Sequence, residues 1–155
     1  MSFTSLQKSA FSQLSFLCSR TEKCSSEVVE KLRKLGLTDE EALPVLEKLK
    51  SDQYVDDERF ARAYVKDKFR FNHWGRQKIE YMLRCKRISG DIISLALDEI
   101  ELQSYSGELK KILLEKSGTI KAKDAFDKRN KLMRFALGRG FEAETVYRVL
   151  KEINF

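Results

Sequence analysis

Breakers are scarce in this chain: 155 residues contain one proline, Pro44, and seven glycines. Long stretches therefore run without a residue that ends a helix, and Leu, Lys, Glu and Ala, which favour helices, are common. Short alternating apolar and polar runs between turn residues are hard to find, so strands have little support. Three cysteines, Cys18, Cys24 and Cys85, show no metal-ligand spacing and read as structural thiols of a reducing compartment. A single histidine, His73, excludes a multi-histidine metal site, and no nucleophile is visibly paired with it. No phosphate-binding glycine loop, dinucleotide fingerprint or zinc-protease motif is present. The acidic run Asp56-Asp57-Glu58 reads more simply as a helix start than as a metal patch. Neither a secretion signal nor a membrane span is found, and the expected location is the cytoplasm. The residues thus point to a protein that binds rather than catalyses, with no cofactor.

An internal repeat is what the chain does have. Shifting the segment from Val28 to Leu49 by 51 residues, and again by 53, superposes seven apolar columns. They are Val28, Ile79 and Leu132; Leu32, Leu83 and Ala136; Leu37, Ile88 and Phe141; and Ala42, Ile93 and Val146. Val45, Ala96 and Val149 follow, then Leu46, Leu97 and Leu150, then Leu49, Ile100 and Ile153. Gly36 and Gly140 occupy one turn position, where the middle copy has Arg87. Within each copy the spacing is that of a core-facing helix, as in Ile92, Ile93, Ala96, Leu97 and Ile100. A further helix precedes each pair, starting at Asp56 or Asp57 in the middle copy. The expectation is an all-α fold of nine helices in three tandem three-helix modules, 1–52, 53–103 and 104–155, forming an elongated body. Thr38 and Glu41 predict a capping box, while Pro44 predicts a kink or a later helix start.

The formal net charge of +6 is unevenly spread. Residues 1–55 balance, whereas Arg59 to Arg87 holds ten basic residues against Asp67 and Glu80. On a helical wheel Arg59, Arg62, Lys66 and Arg70 share one arc opposite Phe60, Ala61, Tyr64 and Val65. Lys68 falls on the apolar side, its stem free to snorkel. Lys131 and Arg134 likewise face away from Leu132 and Ala136. Two basic windows beside a neutral first module favour a polyanion-facing surface over a merely solvated one. Tyr105, Tyr147 and Phe155 read as packing aromatics, with no base-stacking platform.

Three stretches carry a family resemblance. YVDDERFARAYVKDKFR (Tyr54 to Arg70) resembles the signature of the RecX family, regulators of the bacterial recombinase RecA. GRQKIEYMLRCKRI (Gly75 to Ile88) resembles its second motif, and RNKLMRFALGRGF (Arg129 to Phe141) its third. Lys86-Arg87-Ile88 stands where the family has Lys-Gly-Ile, so the turn lacks its glycine, and RTEKCSSEVVEKL in the first module matches more loosely. The resemblance implies a monomer that lodges in the groove of the RecA filament on single-stranded DNA and lowers its ATP hydrolysis, strand exchange and co-protease activity. The contact surface is expected from Arg59, Arg62, Lys66, Arg70, Arg76, Lys78, Lys128, Arg129, Lys131 and Arg134. Tyr54, Phe60, Ala61, Ile79, Leu83 and Phe141 read as structural. The competing readings are a general nucleic-acid binder, touching DNA directly, and a scaffold for another protein.

Overall fold

In the computed structural model, which describes residues 2–155, nine α-helices run in chain order. The first triplet is α1 (Ser5–Arg20), α2 (Ser25–Lys34) and α3 (Asp39–Ser51). The second is α4 (Asp57–Arg70), α5 (Arg76–Cys85) and α6 (Gly90–Asp98). The third is α7 (Leu102–Ser117), α8 (Ala125–Gly138) and α9 (Ala143–Glu152). Every extensive helix–helix contact falls inside a triplet. The repeat is visible in the backbone: α3, α6 and α9 start at 39, 90 and 143, offsets of 51 and then 53 residues. Of the superposed apolar columns, all but Leu97 and Ile153 are buried. Leu137, next to the buried Ala136 on α8, is exposed.

Helix starts follow local chemistry. Thr4 and Gln7 form a capping box on α1, and Thr38 and Glu41 form one on α3, each pairing side chains with free first-turn N–H groups. The α3 box fixes the start at Asp39, and the helix runs on through Pro44. No later start is needed, because Pro44 and Glu40 both lie on the exposed side. The Glu40 carbonyl that loses its intrahelical partner at Pro44 can be satisfied by water. Asp56 caps α4 by accepting from the Arg59 N–H at 3.1 Å. Asp57 does something else: its carboxylate accepts from the Ser25 N–H at 2.7 Å, capping α2 of the first module across the junction.

Modules meet through helix N-termini and turns. At the second junction the Gly75 N–H donates to the Arg139 carbonyl (2.7 Å), and the Gln77 N–H to the Gly140 carbonyl (3.0 Å). The α8–α9 turn thus supplies acceptors for the start of α5. Backbones approach so closely that a Cβ on Gly75 would overlap Gly140 and Phe141, and one on Gly140 would overlap the Lys78 backbone. Residues of α4 to α9 accordingly share one core, with Tyr105 stacked on Phe69 and tilted against Phe141. Helices α1 to α3 enclose a second core of their own.

The first junction repeats the arrangement with side chains. Cys24 stands where the second junction has Gly75, and Ser26 Oγ donates to the Lys86 carbonyl at 2.6 Å. Glu27 pairs with Lys86 at 3.0 Å, and Glu22 with Arg59 at 2.7 Å. Burial alone would push the Glu27 carboxyl up, but the Cys24 N–H and Lys86 hold it below the usual range. Arg87 keeps the left-handed turn of its counterparts, with φ +61° beside +98° at Gly36 and +95° at Gly140. The missing glycine therefore leaves the shape of the turn intact and adds strain.

These turns differ in what a side chain meets. Gly36→Ala is expected to cost about 1 kcal/mol, from backbone strain alone. Gly140→Ala should cost several times more, and Arg87→Gly should stabilise by about 0.5–1 kcal/mol, all read by urea denaturation. Glu27 gives a second expectation. A carboxyl lower in the folded than in the unfolded state binds more protons when unfolded, so its contribution is present above the ordinary carboxylate pKa and fades on acidification. Glu27→Gln should accordingly flatten the loss of thermal stability below about pH 4.5.

Candidate binding surface

Helix α4 buries Phe60, Ala61 and Val65, while Arg59, Arg62, Lys66 and Arg70 occupy its outward arc. Their surroundings divide them. Arg59 donates to Glu22 and is held at the first junction. Arg62 reaches Glu58 at 2.7 Å and Glu99 at 3.0 Å, tying α4 to the end of α6. Among the described residues, Lys66 and Arg70 have no carboxylate within salt-bridge distance, and both are exposed.

Arg62, Lys66 and Arg70 line one side of a cleft of about 540 Å³, with Val65, Phe69 and Ile100. The α6–α7 link and α7 provide Glu99, Glu101 and Glu108 on the same cleft. A phosphate chain entering it would meet three carboxylates as well as three cations. A polypeptide carrying both signs of charge and an apolar side chain fits it better. Sequence alone does not bring these carboxylates to α4, because Glu99 and Glu101 reach it through the packing of α6 and Glu108 through the placement of α7.

The other six expected contact residues are dispersed. Arg76 is withdrawn into the second junction: its guanidinium lies 4.2 Å from the Tyr105 ring centre and donates to the Ile100 carbonyl at 3.0 Å. The Arg76 N–H donates to the Tyr105 hydroxyl, which in turn bonds Glu142. Burial, then the Glu142 hydrogen bond, pushes the Tyr105 phenol far above its ordinary value, so it stays a neutral donor. Arg76 is thus a positioning residue for the two modules, which its local sequence did not show. Lys78 sits over Trp74 at 4.6 Å. On α8, Lys128 lies over Phe155 and Arg129 over Tyr147, and Lys131 pairs with Asp127 at 3.2 Å. Arg134 is exposed. None of the four α8 residues lines the cleft. Lys68 places its ammonium over Tyr64 and Trp74, and His73 Nδ1 bonds Glu108 at 2.8 Å across the junction.

A triplet repeat with a mixed-charge cleft and basic helix faces defines an all-helical repeat protein. The relatives say which. Residues 56–97 match the model of the RecX second three-helix domain, and residues 108–150 that of the third. A "Regulatory protein RecX" of Prosthecochloris aestuarii is 32% identical over 134 residues, covering 85% of either chain. Another, of Clostridium acetobutylicum, is 34% identical over 145 residues, covering 90% of this chain and 66% of that protein. The chain thus spans just under two thirds of its clostridial relative. A crystal structure of regulatory protein RecX superposes with TM-score 0.86 at 25% identity, over 95% of this chain and 72% of that one. RecX from Lactobacillus salivarius superposes at 0.88, with 19% identity, over 96% and 97%. The chain belongs to the RecX family of regulatory proteins. No helix among the described residues is long and apolar enough to cross a membrane.

The division of the α4 cations predicts a division of effects. Arg62→Glu would set a third carboxylate beside Glu58 and Glu99 and should lower stability by about 1 kcal/mol. Lys66→Glu and Arg70→Glu, which break no ion pair, should leave the thermal midpoint nearly unchanged by differential scanning calorimetry.

Proposed function

We propose that this protein regulates the RecA recombinase by binding the RecA filament on single-stranded DNA, through modules 53–103 and 104–155. Binding lowers the filament's ATP hydrolysis, strand exchange and co-protease activity. The observation that carries the reading is the family membership, joined to a cleft in which Lys66 and Arg70 stand unpaired beside an apolar strip and three carboxylates. A filament offers protein and phosphate side by side. The cleft suits the protein component, and the separate basic face of α8 suits the phosphates, where each neutralised phosphate steepens the salt dependence by about 0.7–0.9. In this reading the contact residues are Lys66 and Arg70 in the cleft, with Lys78, Lys128, Arg129, Lys131 and Arg134 beyond it. Arg59, Arg62 and Arg76 position the helices that carry them.

The test is RecA's single-stranded-DNA-dependent ATP hydrolysis at physiological salt, with this protein well below the RecA concentration. Inhibition is expected at substoichiometric dose. Lys66→Glu with Arg70→Glu should raise the required dose by about tenfold, while circular dichroism stays unchanged. Inhibition only when the protein is abundant enough to coat the DNA would instead indicate simple polyanion binding. No effect at any dose would indicate a different protein partner.

A further inference from the structure

The two module junctions correspond position by position. Helices α2 and α5 start at Ser25 and Arg76, 51 residues apart. The Ser25 N–H donates to Asp57 of the following module, and the Arg76 N–H to the Tyr105 hydroxyl of the following one. Two residues before each N-cap, Glu22 reaches Arg59 and His73 reaches Glu108. The receiving turns are Lys86–Arg87 and Arg139–Gly140, which accept through the Lys86, Arg139 and Gly140 carbonyls. The first module carries the same surface with no described residue docked on it. A shift of 51 residues sets Leu6 at the Asp57 position, Lys8 at that of Arg59 and Gly36 at that of Arg87. Ala10 and Leu14 are buried as Ala61 and Val65 are, so the helices agree in register. Gly36 is exposed, and a Cβ there would meet nothing within 4 Å, whereas one on Gly140 would overlap Lys78. Among the described residues, the Leu35 and Gly36 carbonyls receive no backbone hydrogen bond. Lys8 is exposed, with no carboxylate in salt-bridge range among those residues.

The geometry points to this face of the first module, α1 with the α2–α3 turn, as a docking site for the start of a helix from another protein. Its two covered counterparts define what seats there. The turn carbonyls take first-turn N–H groups, which requires a small N-cap residue, as Cys24 and Gly75 are, so that backbones can approach. Lys8 calls for a carboxylate two residues before that cap, where Glu22 stands at the first junction. Leu6, 42% exposed, changes the remaining requirement. It offers no acceptor where Asp57 and Tyr105 do, so an N–H at the first helical position would face an apolar side chain. Proline has no such N–H and favours that position, and its ring packs on Leu6. The partner's signature is a carboxylate, any residue, a small residue and proline at a helix start. A second copy of this chain does not supply it. Its α2 and α5 are already seated, and its α8 is preceded by Lys121 and Lys123, which Lys8 repels. The site lies apart from the α4 cleft and the α8 cations and does not depend on the RecA reading.

The experiment repeats residues 1–55 ahead of Ser5, so that Val55 of the added copy leads into Ser5 as it otherwise leads into Asp56. The added α2 start is thereby held near the original turn at millimolar effective concentration. Residues 1–55 contain one glycine, Gly36, so glycine-selective labelling adds one amide resonance to the seven of the parent chain. The added Gly36 should coincide with that of the parent, and the original Gly36 should be displaced. The remaining glycines, unmoved, report that the parent fold is intact. Glu22→Lys in the added copy should lower the docked-to-free ratio about two- to fivefold and draw the resonance back, and Lys8→Glu on the original module should restore it. Ser25→Pro in the added copy should keep the displacement, because Cys24 already has the extended backbone that precedes proline. Coincident Gly36 resonances in the tandem chain would overturn the site, as would a displacement indifferent to Glu22→Lys. Loss of the displacement with Ser25→Pro would overturn the assigned partner signature.

Discussion

The contact on which the upper part of this molecule depends is the one between two glycines. Gly75 and Gly140 let the start of α5 meet the α8–α9 turn with nothing but backbone between them. Two orphan N–H groups of α5 find carbonyls there, and the Arg76 N–H finds the Tyr105 hydroxyl. Modules too small to bury much surface alone thereby gain one continuous core from α4 to α9. The cleft is a consequence, because it needs α7 held against α4 at that spacing.

The junction between the first and second modules uses the same positions differently. Cys24 and Arg87 occupy the sites that are glycine at the second junction, so backbone-to-backbone docking gives way to side-chain bonds. Ser26, Asp57 and the Glu27–Lys86 and Glu22–Arg59 pairs make that contact. Ion pairs of this partly exposed kind contribute modestly and respond to salt and pH, whereas an apolar core does not. The first module also keeps its own core. The chain thus combines one junction built on packing with one built on polar contacts, from a single repeated design.

Charge is put to three uses within this frame. Arg59, Arg62 and Arg76 fasten modules and helices, each by a named carboxylate, carbonyl or ring. Lys66 and Arg70 stand open in a cleft shared with three carboxylates. On α8 and α9, cations gather round an exposed ring instead.

Helix content, the triplet repeat and the caps at Thr38 and Asp56 were legible in the sequence, because they rest on periodicity and on hydrogen bonds within a few residues. Family membership was legible in three local motifs for the same reason. Which cations are free was not. Arg62 and Lys66 lie on one arc of one helix, and Glu58 one turn before Arg62 together with Glu99 arriving from α6 separates them. Nor could the sequence distinguish Tyr105 from Tyr147, since burial is set by what packs on a ring from other helices. The sequence by itself determined the helices, their repeat and the sign of the charge. Tertiary structure decided which charges hold the modules together and which stay open to solvent, because pairing and desolvation depend on neighbours far away along the chain.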